Sequence, residues 1–144
     1  MDKKAIIICR GKSIENVINL QNENFDFCAI VNDFKKELKN DWLFNFIKNQ
    51  KRVIHYICRE PFAILNKNQY DDLNIEYVQT NKLEEEINVS PGTCNNVRNM
   101  GLNVKPLDKN IKQYSWNEDL WYNQGILKID GTLCMKKGYP RVAA

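Results

Sequence analysis

Histidine is nearly absent from this chain: 144 residues contain one, His55. It sits inside an apolar run, where a lone histidine reads as a packed core residue rather than a base. The five cysteines are odd in number and have no CxxC spacing, so neither a disulfide framework nor a zinc site is expected. Cys9, Cys28 and Cys58 each fall in a strand-like stretch and read as buried, reduced thiols. No apolar run is long enough for a membrane helix, and Lys3 and Lys4 precede only the short run Ala5 to Cys9, which is no signal peptide. A cytoplasmic protein without a membrane span is the expectation. The net charge of +3 is weak, and basic residues adjoin only in pairs such as Lys35-Lys36 and Lys136-Lys137. That describes a solvated surface and argues against nucleic acid as a partner. No repeat or low-complexity linker appears, so residues 1–144 read as a single α/β domain.

What the chain does have is a stretch that organises the rest, AIIICRGKSI from Ala5 to Ile14. Apolar, β-branched residues stop at Arg10-Gly11, and a helical pattern follows with Ile14, Val17 and Ile18. The reading is a buried strand, a turn and a helix N-terminus. Ser13 is a favoured N-cap type, and first-turn amides without helical partners suit a phosphate or carboxylate. Lys12 adds a cation there. Gly11-Lys12-Ser13 matches the end of a phosphate-binding P-loop, but that motif needs a glycine where Ile6 stands. The loop is too short to wrap a triphosphate. The dinucleotide fingerprint GxGxxG is also missing.

The rest of the chain alternates. After a helix over about 13–22, a second strand occupies the apolar core Phe27 to Val31 and closes on Asn32-Asp33. Phe34, Leu38, Trp42, Leu43, Phe46 and Ile47 recur at helical spacing, with Asp41 as a cap. Lys51 to Arg59 is a third strand, ended by Glu60-Pro61. Phe62, Ile64, Leu65, Tyr70 and Leu73 supply a helix and its exit, and Ile75 to Thr80 is a fourth strand. Strand–helix alternation predicts a Rossmann-like, doubly wound, mainly parallel sheet. Its strands lie near residues 5–9, 27–32, 52–58 and 75–79. Beyond them come short helices near 82–88 and from Thr93 or Asn95 to Gly101, and a fifth strand within 103–107. A C-terminal helix capped by Ser115 and a β-hairpin over Ile126 to Met135 around Asp130-Gly131 complete the expectation. The hairpin could cover a sheet edge or make a homo-oligomer.

The first eighty residues resemble the small bacterial sialyltransferases, which transfer sialic acid from CMP-sialic acid. The residues that carry the likeness are Cys9-Arg10-Gly11-Lys12-Ser13-Ile14, Phe25-Asp26 with Ile30-Val31-Asn32-Asp33-Phe34, and Val53 to Cys58. Ser90-Pro91-Gly92-Thr93 corresponds to the family's later Ser/Thr/Gly-rich loop. The resemblance implies a nucleotide-sugar-dependent glycosyltransferase with a CMP-type ligand. Gly11, Lys12 and Ser13 would meet phosphate, and Asn32 and Asp33 would face the nucleotide. The family's members are considerably longer and carry a catalytic histidine and tyrosines in their C-terminal half; His55 does not match that histidine, and Tyr114 and Tyr122 are candidates for acid–base work that no motif supports. No catalytic residue, metal ligand or cofactor is therefore named. Asp33 and Glu60 are the nearest carboxylates for a base. The alternative is a non-enzymatic nucleotide- or protein-binding module on the same fold. A P-loop-like phosphotransferase ranks third.

Overall fold

A computed structural model describes residues 2–57 and 63–109. The fold is α/β with an all-parallel five-stranded sheet, as the alternation predicts. Its strands are β1 (Ala5–Ile8), β2 (Phe27–Val31), β3 (Val53–Ile57), β4 (Ile75–Thr80) and β5 (Val104–Lys105). The helices are α1 (Asp41–Lys48), α2 (Lys67–Asp72), α3 (Glu84–Val89) and α4 (Thr93–Asn99). Two 3-10 segments, Lys12–Leu20 and Glu37–Lys39, are also among the described residues. The expected C-terminal helix at Ser115, the hairpin at Asp130-Gly131, and Cys58, Glu60 and Pro61 lie outside the described residues.

The strands run in unbroken order, β1-β2-β3-β4-β5. Right-handed crossovers in that order put every connection on the same face. The packing agrees. One core cluster joins Ile8, Cys28, Ile30, Val53, Ile57 and Val78 of the sheet to Val17, Phe46, Ile47, Tyr70, Ile87 and Val97 of the helices. The opposite face carries Ile7, Ala29, Val31, Ile54 and Tyr56. The second helical layer of a doubly wound sheet is not among the described residues.

Register fixes which residues share a face. Ile8 pairs with Ile30, Ile30 with His55, and His55 with Val78. Between β3 and β4 the register shifts between Val53 and His55, which is a bulge on β4. Beside it the Arg52 guanidinium grips the Glu76 carboxylate in two bonds of 2.8 and 2.7 Å. Among the described residues β1 is an edge strand, and burial there is incomplete. Ile7 is 51% exposed, and Cys9, expected in the core, is exposed just past the strand end. Cys28, in the next strand inward, is fully buried as expected.

Candidate functional site

Parallel strands deliver the ends of β1 and β2 to the same sheet edge, and with them two of the predicted segments. Ile8 lies opposite Ile30, so the residues after each strand emerge side by side. The first segment, Gly11-Lys12-Ser13, differs from expectation in local structure. The helix over 12–20 is 3-10, and Gly11, not Ser13, is its N-cap residue, with no side chain capping it. Ser13 already lies in the first turn, where its hydroxyl cannot take the cap position. Ile14, Val17 and Ile18 are β-branched and Asn16 and Asn19 lie among them, all weak formers of an α-helix. Gly11 has φ 170°, an extended conformation open to any residue. A Cβ there would meet only the Ser13 hydroxyl, at 3.9 Å. No turn at this position demands glycine. Gly11, Lys12 and Ser13 are all exposed.

The second segment is more tightly built. Asn32 follows β2 with φ 58°, the left-handed region that asparagine tolerates better than most residues. Its N–H donates to the Tyr56 carbonyl at 2.7 Å, continuing the ladder to β3. Its carbonyl lies 2.7 Å from His55 Nε2. A carbonyl only accepts, so Nε2 carries the proton and Nδ1 is left as an acceptor. Tyr70 Oη, 2.8 Å from Nδ1, supplies the proton there. The same oxygen accepts from the Leu65 N–H at 3.2 Å. The chain Leu65, Tyr70, His55, Asn32 is thus satisfied at every link by a neutral imidazole.

His55 is fully buried, and this loss of solvation drives its pKa from an ordinary 6.5 down to about 4. The hydrogen bond to Asn32 and the nearby Asp33 charge oppose the shift without overcoming it. Burial likewise pushes the Tyr70 phenol up to about 12. Both groups are therefore neutral at physiological pH, and both are committed to each other. The sequence reading of His55 as a packed core residue matches this geometry. Its partners Tyr70 and Leu65 carried no local signal, because they come from the connection after β3.

Asp33 is engaged as well. Its Oδ1 accepts from the Lys35 N–H at 3.3 Å and lies 3.5 Å from the Lys35 ammonium. That ammonium also donates to the Ile64 carbonyl at 3.1 Å, tying the loop after β2 to the segment before α2. A carboxylate held this way stabilises a loop. Glu60, the other carboxylate considered for a base, is outside the described residues.

The loop Ser90-Pro91-Gly92-Thr93 joins α3 to α4. The Lys82 ammonium donates to the Ser90 carbonyl at 2.6 Å. Gly92 has φ 46°, a conformation that strains any side chain, so glycine is required here rather than at Gly11. No group of three or more His, Cys, Asp or Glu side chains among the described residues is placed to hold a metal ion. No described helix is long and apolar enough to cross a membrane.

Ligand crevices in open α/β sheets form where strand order reverses. β1 to β5 contain no reversal, so the loops themselves must define any site at this edge. Comparison with protein-family models, curated proteins and solved structures found no match to this chain.

Proposed function

We propose that this protein binds a nucleotide or nucleotide-sugar, of the CMP type, at the sheet edge formed by the ends of β1 and β2. The observation that carries the reading is Asn32. Its backbone sits in a left-handed conformation, bonded on both sides to β3. Left-handed backbone at a strand end costs energy for any residue but glycine, and such positions cluster at ligand sites. A buried histidine and tyrosine fix it in place. The exposed turn Gly11-Lys12-Ser13 follows the neighbouring strand, with first-turn amides and a cation suited to phosphate.

Binding is better supported than sialyltransferase-like transfer. Glycosyl transfer needs a base for the acceptor hydroxyl. His55 and Tyr70 are consumed in holding Asn32, and Asp33 is paired with Lys35. The resemblance to sialyltransferases supports the nucleotide class and leaves the transferase activity as the second reading.

Calorimetry and thermal shift with CMP, CDP, UDP and ADP at low salt test the proposal. CMP should bind best. Asn32→Gly should weaken binding about fivefold, the loss of roughly one hydrogen bond, while glycine keeps the backbone conformation. No heat and no shift with any nucleotide would remove the proposal. Hydrolysis of CMP-sialic acid by the wild-type chain would promote the transferase reading.

A further inference from the structure

The helical elements that follow β1 and β2 leave a groove between them. Its walls are Ile14, Glu15 and Ile18 of the first 3-10 segment and Asn40, Trp42 and Leu43 at the start of α1, and its volume is about 260 Å3. Ile18 is 51% exposed there, whereas Leu43 is buried. Trp42 stacks on Phe46 one turn further along α1, with ring centroids 5.8 Å apart and an interplanar angle of 12°, which holds its ring in place. The groove is an apolar slot with one fixed aromatic wall, and such a slot suits a flat ring.

Its polar groups have a direction. In a 3-10 helix residues three apart eclipse one another and rise about 6 Å, so Lys12, Glu15 and Ile18 stand in one row. The cation lies at the turn, the carboxylate comes next and the apolar side chain last. Lys12 and Glu15 make no ion pair among the described residues. On the other wall the Asn40 Oδ1 is committed to the Leu43 N–H at 3.2 Å, which leaves the amide Nδ2 as a donor. The groove thus offers a carboxylate that only accepts and an amide nitrogen that only donates. Cytosine matches that pair, since its 4-amino group donates and its ring N3 accepts. Uracil presents the reverse, a carbonyl and an N–H, and would set acceptor against acceptor and donor against donor. Adenine repeats the cytosine pattern on two rings, and a slot below the roughly 300–1,000 Å3 of most ligand pockets favours one ring.

We propose that this groove is the base pocket of the nucleotide site: Trp42, Ile14 and Ile18 hold a cytosine ring, Glu15 accepts from its amino group and Asn40 donates to N3. The inference rests on the nucleotide reading above and deepens it, because it places the choice of base in residues that neither the strand ends nor the Gly11-Lys12-Ser13 turn supplies. Ile14 follows Ser13 directly, so the groove begins about 3.8 Å along the backbone from the turn. One nucleotide can then keep its phosphate beside Lys12 and its base beside Glu15.

Calorimetry of the full chain with CMP, UMP and ribose 5-phosphate tests it, the last being a probe with phosphate and sugar but no base. CMP should bind about tenfold tighter than UMP. Glu15→Gln should bring that ratio close to one, because an amide can turn to accept from cytosine or donate to uracil, and it should not weaken ribose 5-phosphate. Ile18→Arg, at an exposed position, puts a guanidinium into the slot beside Glu15 and should weaken CMP at least tenfold without weakening ribose 5-phosphate. Equal affinity of the wild-type chain for CMP and UMP would overturn the base pocket and leave the nucleotide reading standing. A CMP preference that survives in both variants would overturn it too, since the base would then be read elsewhere. If none of the three ligands binds, the nucleotide reading falls and the base pocket with it.

Discussion

Lowering the pH from 7.5 to 5.0 should destabilise this protein through His55 alone. The native imidazole titrates at about 4 because it is buried, whereas in the unfolded chain it titrates near 6.5. Between those values the unfolded chain binds a proton that the native state refuses. Stability therefore rises with pH across this window: it is fully present above 6.5 and lost progressively as pH falls toward 4. Each tenfold change in proton affinity is worth about 1.4 kcal/mol, so the whole effect is about 3 kcal/mol, with about 2 kcal/mol already lost at pH 5. Against a typical stability of about 5–15 kcal/mol that is easily measured.

Urea unfolding followed by tryptophan fluorescence at pH 7.5, 6.5, 5.5 and 5.0 reads the effect. Asp26 and Glu76 have lowered pKa values, Asp26 from the Lys4 N–H and the Lys51 ammonium and Glu76 from Arg52. Their contributions are lost below the ordinary carboxylate range, so they do not confuse the window above pH 5. His55→Gln keeps a donor and an acceptor but no titrating group. That variant should be less stable at every pH and nearly flat between 7.5 and 5.0. A wild-type midpoint that does not move over this range would refute the reasoning. So would a variant that keeps the wild-type slope.

Tyr70→Phe leaves His55 Nδ1 and the Leu65 N–H without their shared partner and should cost about 1–3 kcal/mol in urea unfolding. Thiol labelling at pH 8 should modify Cys9 within minutes and spare Cys28 and Cys94, since Cys9 is exposed and the other two are buried, with the Cys28 thiol pushed up to about 12. Asn40→Ala should cost about 1 kcal/mol, because its Oδ1 caps α1 at the Leu43 N–H, whereas Ser13→Ala should change stability by almost nothing, as no cap bond is lost.

The parallel sheet was legible because its strands are short β-branched runs separated by helical spacing, and burial on a central strand leaves few other readings. VIHYI of β3 is buried at all five positions, and its sequence is apolar or aromatic at four of them. Cys9 was misplaced for the converse reason. AIIIC looks like a core strand, but nothing in it reveals that β1 lies at the sheet edge, which depends on strand order. Strand order is set by long-range pairing and leaves no local mark. The cap of α1 shifted by one residue, from Asp41 to Asn40, since both types accept equally well. In the site, Asn32 was visible as a polar residue ending an apolar run. Its left-handed backbone and the bonds that hold it depend on His55 and Tyr70, which are 23 and 38 positions further along the chain, and no motif joins them.

The two halves of the proposed edge should then respond unequally to mutation, in the opposite order to the sequence expectation. A strand–glycine–serine turn suggests that Gly11 is the sensitive position, because a side chain would fill the phosphate space and strain the turn. The geometry removes both reasons. Gly11 is extended at φ 170°, and a Cβ has no neighbour nearer than 3.9 Å. The 3-10 segment behind it is exposed over most of its length and buries only Val17. Asn32, by contrast, is locked by two bonds of 2.7 Å to β3. A preorganised group loses little entropy on meeting a ligand, so its contacts count in full. Gly11→Val should therefore leave stability unchanged and weaken CMP binding less than Asn32→Gly does. Isothermal titration of both variants beside wild type decides it. If Gly11→Val abolishes binding while Asn32→Gly keeps it, phosphate is held by the first turn, and the locked asparagine serves the fold alone.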